Sequence, residues 1–247
     1  CGLIFSNPIL SHEKIATLYK ESTFDYSHES DYLKKTYGNY LQKILPAKGK
    51  KSLHLLDIGC GNGFFLEEAR DRGVGYVYGI EPGKESVKKA PKWLQKKITV
   101  GLFTKKSFKS QTFDIICCFH TLDHIVDPNT FLQGVYHSLK KGGKVLFIVH
   151  DTDGLSVKLF GEKSPIFDIE HIYLFNKETL TKLFIKNNFT ILETFTVKNT
   201  YPLTYWVRMV PMPKIMKRVI LSMFNKTHTG TIPLSLTAGN IGIIVQK

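Results

Sequence analysis

Residues 55–63, LLDIGCGNG, set Asp57 just ahead of Gly59, Gly61 and Gly63, with Cys60 between the first two glycines. An apolar run leads into this stretch and a helical pattern leads out of it. That is the setting a cofactor-binding glycine turn requires. Glycines there accept positive φ and remove the Cβ that would hold a ligand away from the main chain. Amides at a helix start can face an anionic or polar group. The turn alone would also serve a dinucleotide, but its spacing is G-x-G-x-G rather than G-x-G-x-x-G, and an acid closes the strand before it. A second carboxylate, Glu81, ends the next strand beside Pro82. At about 20 residues past the turn, it can accept bonds from both hydroxyls of a ribose. Capping the following helix is the plainer use of the same acid.

Groups able to take up a proton follow: His120, His124, His150, Asp151 and His171. Histidine titrates near neutrality and suits proton removal. His150 and Asp151 sit at the end of a strand, where open α/β sheets bind ligands. One of His120, His150 or His171 is expected to contact the substrate, while His124 and His171 also suit local structural bonds.

Positioning these groups falls to a regular βα rhythm. Strands are predicted at 53–58, 76–80, 98–100, 113–119 and 144–149, and helices at 63–70, 84–90 and 130–139. The 113–119 run is apolar without a break, as a strand covered on both faces should be. Residues 141–143 read as a turn and 151–175 as a loop or insertion. A helix at 177–186 follows Asn176 as N-cap, and 189–197 and 241–246 read as closing strands. Between these last two, residues 199–238 hold Pro202, Pro211, Pro213 and Pro233 and a helix-like run at 214–224. Ahead of the core, residues 1–50 show helical spacing at Ile15, Leu18 and Tyr19, then at Tyr32, Tyr37, Tyr40, Leu41 and Ile44.

At 247 residues the chain can build one large α/β domain. No apolar run is long enough to span a bilayer. The chain opens at Cys1 without a signal-peptide pattern, which suggests a piece of something longer. Its four cysteines, Cys1, Cys60, Cys117 and Cys118, do not form a disulfide framework, so a cytoplasmic home is expected. The net charge of +13 biases the surface toward anionic partners. However, the lysines are scattered, and no platform of alternating basic and aromatic residues is visible. No nucleic-acid partner is therefore expected.

Taken together, the motifs resemble those of the class I S-adenosylmethionine (SAM)-dependent methyltransferases from about residue 53 onward. LLDIGCGNGFF looks like the family's first motif and GIEPG like its second. FDIICCFHTLDHIVDP resembles the fourth-strand motif, LKKGGKVL the turn before the fifth strand, and HIYLFNKETL an element of one subgroup. The fold so implied is a Rossmann-like, doubly wound α/β domain. Its seven-stranded sheet is mostly parallel with an antiparallel last strand, and helices cover both faces. Residues 1–50 become a helical lid, 51–247 the SAM-binding domain, and 199–238 an insertion capping the acceptor site.

The resemblance also implies roles. Asp57 and the main chain of Gly59, Cys60, Gly61 and Gly63 would hold the amino-acid part of SAM. Glu81 would hold the ribose, with Pro82 beside the adenine and Leu102 and Phe103 flanking it. His120, Thr121 and Leu122 would line the floor near the sulfonium. The chain departs from the family in having no acid after the third strand, and in Asp123 where Glu is more usual. A nucleic-acid methyltransferase and a non-catalytic SAM-binding protein are the alternatives.

The acceptor is less legible. CGLIFSNP at 1–8 resembles the end of a Cys-rich zinc module found ahead of some bacterial methyltransferases, whose acceptors are often sugars or other cell-surface intermediates. One Cys cannot build a tetrahedral site, so no metal is expected. Residues 205–224 combine Trp, Met and Leu with Arg208, Lys214, Lys217 and Arg218. That composition fits peripheral contact with anionic lipid at the inner face of a membrane, or more simply a helical cap over the acceptor. Oligomeric state is not legible.

Overall fold

The computed structural model describes residues 2–9, 30–168 and 171–247. The helix expected around Ile15–Tyr19 and the Tyr-rich stretch ahead of Ser30 lie outside them. Strand β1 (Ile4–Phe5) and helix α1 (Ser30–Gln42) precede the core. The first half of the core runs β2 (His54–Ile58), α2 (Phe64–Asp71), β3 (Tyr76–Glu81), α3 (Lys84–Lys88), α4 (Lys92–Gln95) and β4 (Ile98–Val100). Next come β5 (Phe113–Phe119), α5 (Pro128–Ser138), β6 (Leu139–His150), α6 (Leu155–Phe160) and β7 (Tyr173–Leu174). The chain closes with α7 (Lys177–Lys186), β8 (Thr190–Thr196), β9 (Asn199–Pro202), α8 (Leu203–Met209), α9 (Lys214–Thr227), β10 (Pro233–Leu236) and β11 (Asn240–Gln246).

Seven strands form one sheet in the order β4-β3-β2-β5-β6-β11-β8. Strands β2 to β6 pair in parallel, and β11 runs antiparallel between β6 and β8. This is the Rossmann-like α/β architecture, with the last strand reversed. The chain winds outward from β2 to β4, then returns to lay β5 on the other side of β2. That reversal opens a crevice at the carboxyl ends of β2 and β5.

Successive strand residues point to opposite faces, and the core divides accordingly. Leu55, Cys117, Leu146 and Ile148 pack with Tyr37, Leu41, Phe65 and Leu66 under α1 and α2. Leu56, Ile58, Cys118 and Phe147 pack with Leu132, Leu180 and Phe184 under α5 and α7.

Local signals hold where they are strongest. Strands β4 and β5 match their expected bounds. Helix α5 begins earlier than expected, at Pro128, because Asp127 caps it by accepting from Thr130 N at 3.0 Å. Helix α3 stops at Lys88, short of the expected residue 90, and Pro91 caps the unexpected α4. A residue before proline is barred from the helical region, which enforces the break.

Two expectations are corrected. The turn at 141–143 is a bulge inside β6: Leu139 pairs with Phe113, whereas Ile115 already faces Lys144. Gly142 takes the kink at φ +77°, and the Gln246 amide donates to its carbonyl at 2.9 Å. Residues 151–175 are more than a loop, for they carry α6 and β7. Strand β7 owes its form to pairing with the distant β1, which no local pattern records.

Asn176 and Thr179 form a reciprocal capping box at the start of α7. Asn176→Ala is expected to cost about 1 kcal/mol of stability, read by urea unfolding. A change near zero would show that α7 is held by packing alone.

Candidate active site

The glycine turn joins β2 to α2. Gly59, Gly61 and Gly63 take φ of +76°, +55° and +79°, a region costly for any side chain. A Cβ on Gly59 would lie 2.2 Å from Thr121 Oγ1, and one on Gly63 would lie 2.4 Å from Leu94. Around Gly61 nothing lies within 4 Å, so this is the open side of the turn.

The turn's amides are largely spent within the chain. Gly59 and Cys60 N–H donate to Ile80 O, Gly61 N–H to Glu81, and Gly63 N–H to Cys60 O. The expectation that amides here face an anionic ligand group is therefore revised. Beneath the turn lies Asp57, buried, with Oδ1 lacking any hydrogen-bond partner. Burial, reinforced by Glu81, pushes its carboxyl well above the usual range. An orphaned acidic oxygen favours a cationic donor such as an ammonium over a phosphate.

Glu81 bridges the two turns, accepting from Gly61 N–H at 2.9 Å and Gly83 N–H at 2.8 Å. Burial raises its pKa, and these two bonds pull it back. A carboxylate has acceptor capacity for further donors beyond these two. Pro82 beside it is half-buried, and Leu102 is 51% exposed just beyond β4. Phe103 instead turns onto Phe131 and Phe108, with ring centroids 5.4 and 6.4 Å away. The Cys60 side chain is buried in the core, its thiol pushed up chiefly by burial and then by Asp57. Leu122 is also wholly buried, so neither side chain lines an open site.

The second half of the site abuts the first where Thr121 touches Gly59. His120 leaves β5 at φ +46°, and its Nδ1 is buried without a partner. Burial, then the neighbouring His150, brings its pKa down to about 3. Asp123 has no exposed surface, and its Oδ2 accepts from His150 Nδ1 at 2.6 Å. Burial would raise its pKa, but the His150 bond and the surrounding imidazoles hold it below the ordinary carboxylate value. His171 Nδ1–H donates to Ile166 O at 2.8 Å, which leaves Nε2 as the acceptor end. Burial first, then His150, lowers its pKa to about 4.

The imidazoles form a chain. Centroids are 4.6 Å apart for His120 and His150, 4.4 Å for His150 and His171, and 4.8 Å for His171 and His124. Tyr37 of α1 stacks on Phe119 at 4.1 Å, with its ring 6.4 Å from His120. Asp151 is buried and accepts from Asp153 N–H at 2.9 Å, so it shapes its own turn.

The structure thus brings His120, His150 and His171 together and adds Asp123, a residue the sequence marked only as standing where Glu is usual. Its partner lies 27 residues away, beyond any local pattern. One ligand-type atom from each of His120, Asp123 and His150 falls within 4.8 Å of the others. That set could accept a divalent cation, although no metal was expected from sequence. The shortest contact in it is the Asp123–His150 hydrogen bond.

An open α/β sheet with a glycine turn and an acid at each of its first two strand ends defines a nucleoside-type cofactor fold. A family model described as Methyltransferase domain matches residues 30–194, and the chain belongs to that family of class I SAM-dependent methyltransferases. It is similar to a ubiquinone biosynthesis O-methyltransferase of Pseudomonas putida, 28% identical over 52% of this chain and 55% of the relative. The chain thus spans about half the length of that relative. An uncharacterized methyltransferase of Geobacillus is 27% identical over 76% of this chain and 92% of its own. Among solved structures, the fold resembles a geranyl diphosphate C-methyltransferase of Streptomyces coelicolor solved with S-adenosyl-L-homocysteine. The TM-score is 0.61 and the identity 12%, over 95% of this chain and 97% of that one. A SAM-dependent methyltransferase of Archaeoglobus fulgidus gives a TM-score of 0.54 at 19% identity, over 89% and 97%.

His120 and His171 both have pKa values below the ordinary 6.5, so the unfolded chain binds the extra protons more readily. Their stabilisation is complete above 6.5 and declines as pH falls toward about 4 and about 3. Asp123, lowered in the fold, acts with the same sign at more acidic pH. The melting temperature should therefore drop on acidification below 6.5, and His171→Gln should flatten part of the drop. A wild-type profile flat through that window would contradict the buried neutral cluster.

Proposed function

We propose that this chain transfers a methyl group from SAM to a hydroxyl of a small-molecule acceptor, with His150 taking up the hydroxyl proton. The chief support is the 2.6 Å bond from His150 Nδ1 to the fully buried Asp123 carboxylate. That bond places the proton on Nδ1 and leaves Nε2 its lone pair. The buried anion then stabilises the imidazolium that forms on proton uptake. His171 offers a second Nε2, and His120 a neutral wall.

SAM supplies a methyl group already activated on a sulfonium, so the protein's work is alignment, water exclusion and proton uptake. The residues fit such a cofactor. Asp57 Oδ1 would receive the ammonium, with the open side of Gly61 beside it. Glu81 would receive the ribose hydroxyls, with Pro82 and Leu102 near the adenine and Thr121 at the floor. Helix α1, through Tyr37, would act as the lid over His120.

The hydroxyl acceptor draws support from relatives named for O-methylation in ubiquinone biosynthesis. A sugar or cell-surface biosynthetic intermediate is the narrower class read from the N-terminal motif, and it too presents hydroxyls. A cytoplasmic setting draws support from the free, buried thiols of Cys60, Cys117 and Cys118.

Asp57→Asn should weaken SAM binding about 10- to 100-fold in calorimetry, the loss of a charge-assisted contact. The ligand-free protein should melt no lower than wild type, because an unpaired buried anion is removed. Unchanged affinity would exclude Asp57 from the cofactor site.

A panel of catechols, phenols and free or nucleotide-linked sugars would identify the acceptor. With it, His150→Ala and Asp123→Asn should each lower kcat about 10²- to 10⁴-fold while sparing SAM affinity. Dialysis against EDTA should leave kcat unchanged. Full turnover in both variants removes the base, and activity lost to EDTA and restored by a divalent cation reassigns His120, Asp123 and His150 as ligands.

A further inference from the structure

The excursion between β9 and β11 splits into an inward and an outward half. Helix α8 faces inward: Tyr205 stacks on Tyr201 at 3.9 Å, and Trp206 Nε1–H donates to Leu234 O at 2.9 Å. Neither helix has a fully buried residue, but α9 leaves aliphatic side chains in solvent. Ile215 is 77% exposed, Met216 54%, Val219 53% and Met223 59%. Residues 215, 219 and 223 follow one another at i, i+4 and i+8, so with Met216 they make one apolar stripe facing solvent.

The charges beside this stripe share one sign. Lys214, Lys217 and Arg218 line an open groove along α9 with Ser222 and Asn225. From Glu193 to Lys247 the sequence contains no further acidic residue, while Lys198, Arg208, Lys214, Lys217, Arg218, Lys226 and Lys247 are basic. No described helix is long and apolar enough to cross a membrane. A short helix with an exposed apolar stripe and basic flanks is instead suited to lying in the plane of a lipid interface.

We propose that α9 docks this chain on an anionic lipid bilayer. Ile215, Met216, Val219 and Met223 enter the acyl boundary, and Lys214, Arg218 and Lys226 meet the headgroup phosphates. Charge complementarity selects this occupant over a second copy of the chain, since a symmetric α9 pair would bring the same cations together. The docking uses no residue assigned to the cofactor, acceptor or base, so it stands or falls independently of those assignments.

Flotation of the full chain with two kinds of vesicle tests it: phosphatidylcholine alone, and equimolar phosphatidylcholine and phosphatidylglycerol. Wild type should float with the anionic vesicles, remain behind with the neutral ones, and lose binding as salt rises. Ile215→Glu/Val219→Glu should abolish flotation. Lys214→Gln and Arg218→Gln should each weaken it about fivefold. Circular dichroism and SAM affinity serve as fold controls for every variant. The proposal is overturned if wild type ignores anionic vesicles, or if the double glutamate variant floats as wild type does. It is equally overturned if light scattering shows a lipid-independent dimer that the double variant dissolves.

Discussion

A carboxylate with no exposed surface must be met by donors, and Asp123 imposes that demand at the centre of the site. His150, at the end of β6, meets it at Oδ2 through Nδ1, while Oδ1 is left without a hydrogen-bond partner. The main chain of Asp123 is engaged as well, its carbonyl accepting from Ile172 N–H at 2.8 Å. The exit of β5, the end of β6 and the approach to β7 are thereby tied at one residue. Strand β7 in turn pairs with β1, so even the first described strand is positioned by this junction. Replacing the carboxylate would loosen the tie between the exit of β5 and the end of β6 and free the imidazole tautomer, while the main-chain bond to Ile172 could persist.

The two halves of the crevice have opposite electrostatic character, and this suits a cationic cofactor. On the β2 and β3 side, burial disfavours both Asp57 and Glu81 as anions, and Glu81 adds to the penalty on Asp57. A ligand carrying positive charge relieves that strain. On the β5 and β6 side, burial holds His120 and His171 neutral, so they add no cation to oppose a sulfonium. The contact between Gly59 and Thr121 brings the halves together. A side chain at Gly59 would force them apart, which gives that glycine a packing reason beyond its positive φ.

The outer parts follow a different logic. Helix α1 spends its aromatic face on the core, with Tyr37 over Phe119 and Tyr40 stacked on Phe195 at 4.8 Å. Helix α8 behaves similarly through Tyr205 and Trp206. Helix α9 turns an apolar stripe outward, as the short α6 does with Leu155 and Leu159. In the 205–224 segment, Tyr205 and Trp206 have found partners inside the fold, whereas Ile215, Met216, Val219 and Met223 remain exposed.

What the sequence determined by itself is whatever a few adjacent residues can dictate. The glycine turn, the apolar strands and the Asn176 cap were legible because backbone geometry and side-chain alternation act over a handful of positions. Tertiary structure decided the rest, since burial and pairing depend on what arrives from elsewhere. The amides of Gly59 and Cys60 are consumed by Ile80, and the side chains of Leu122 and Phe103 are drawn into the core. Asp123 becomes the anchor of a histidine cluster only once β6 lies beside β5. Local patterns report which groups can bond, and only the packed chain settles which of those groups are still free.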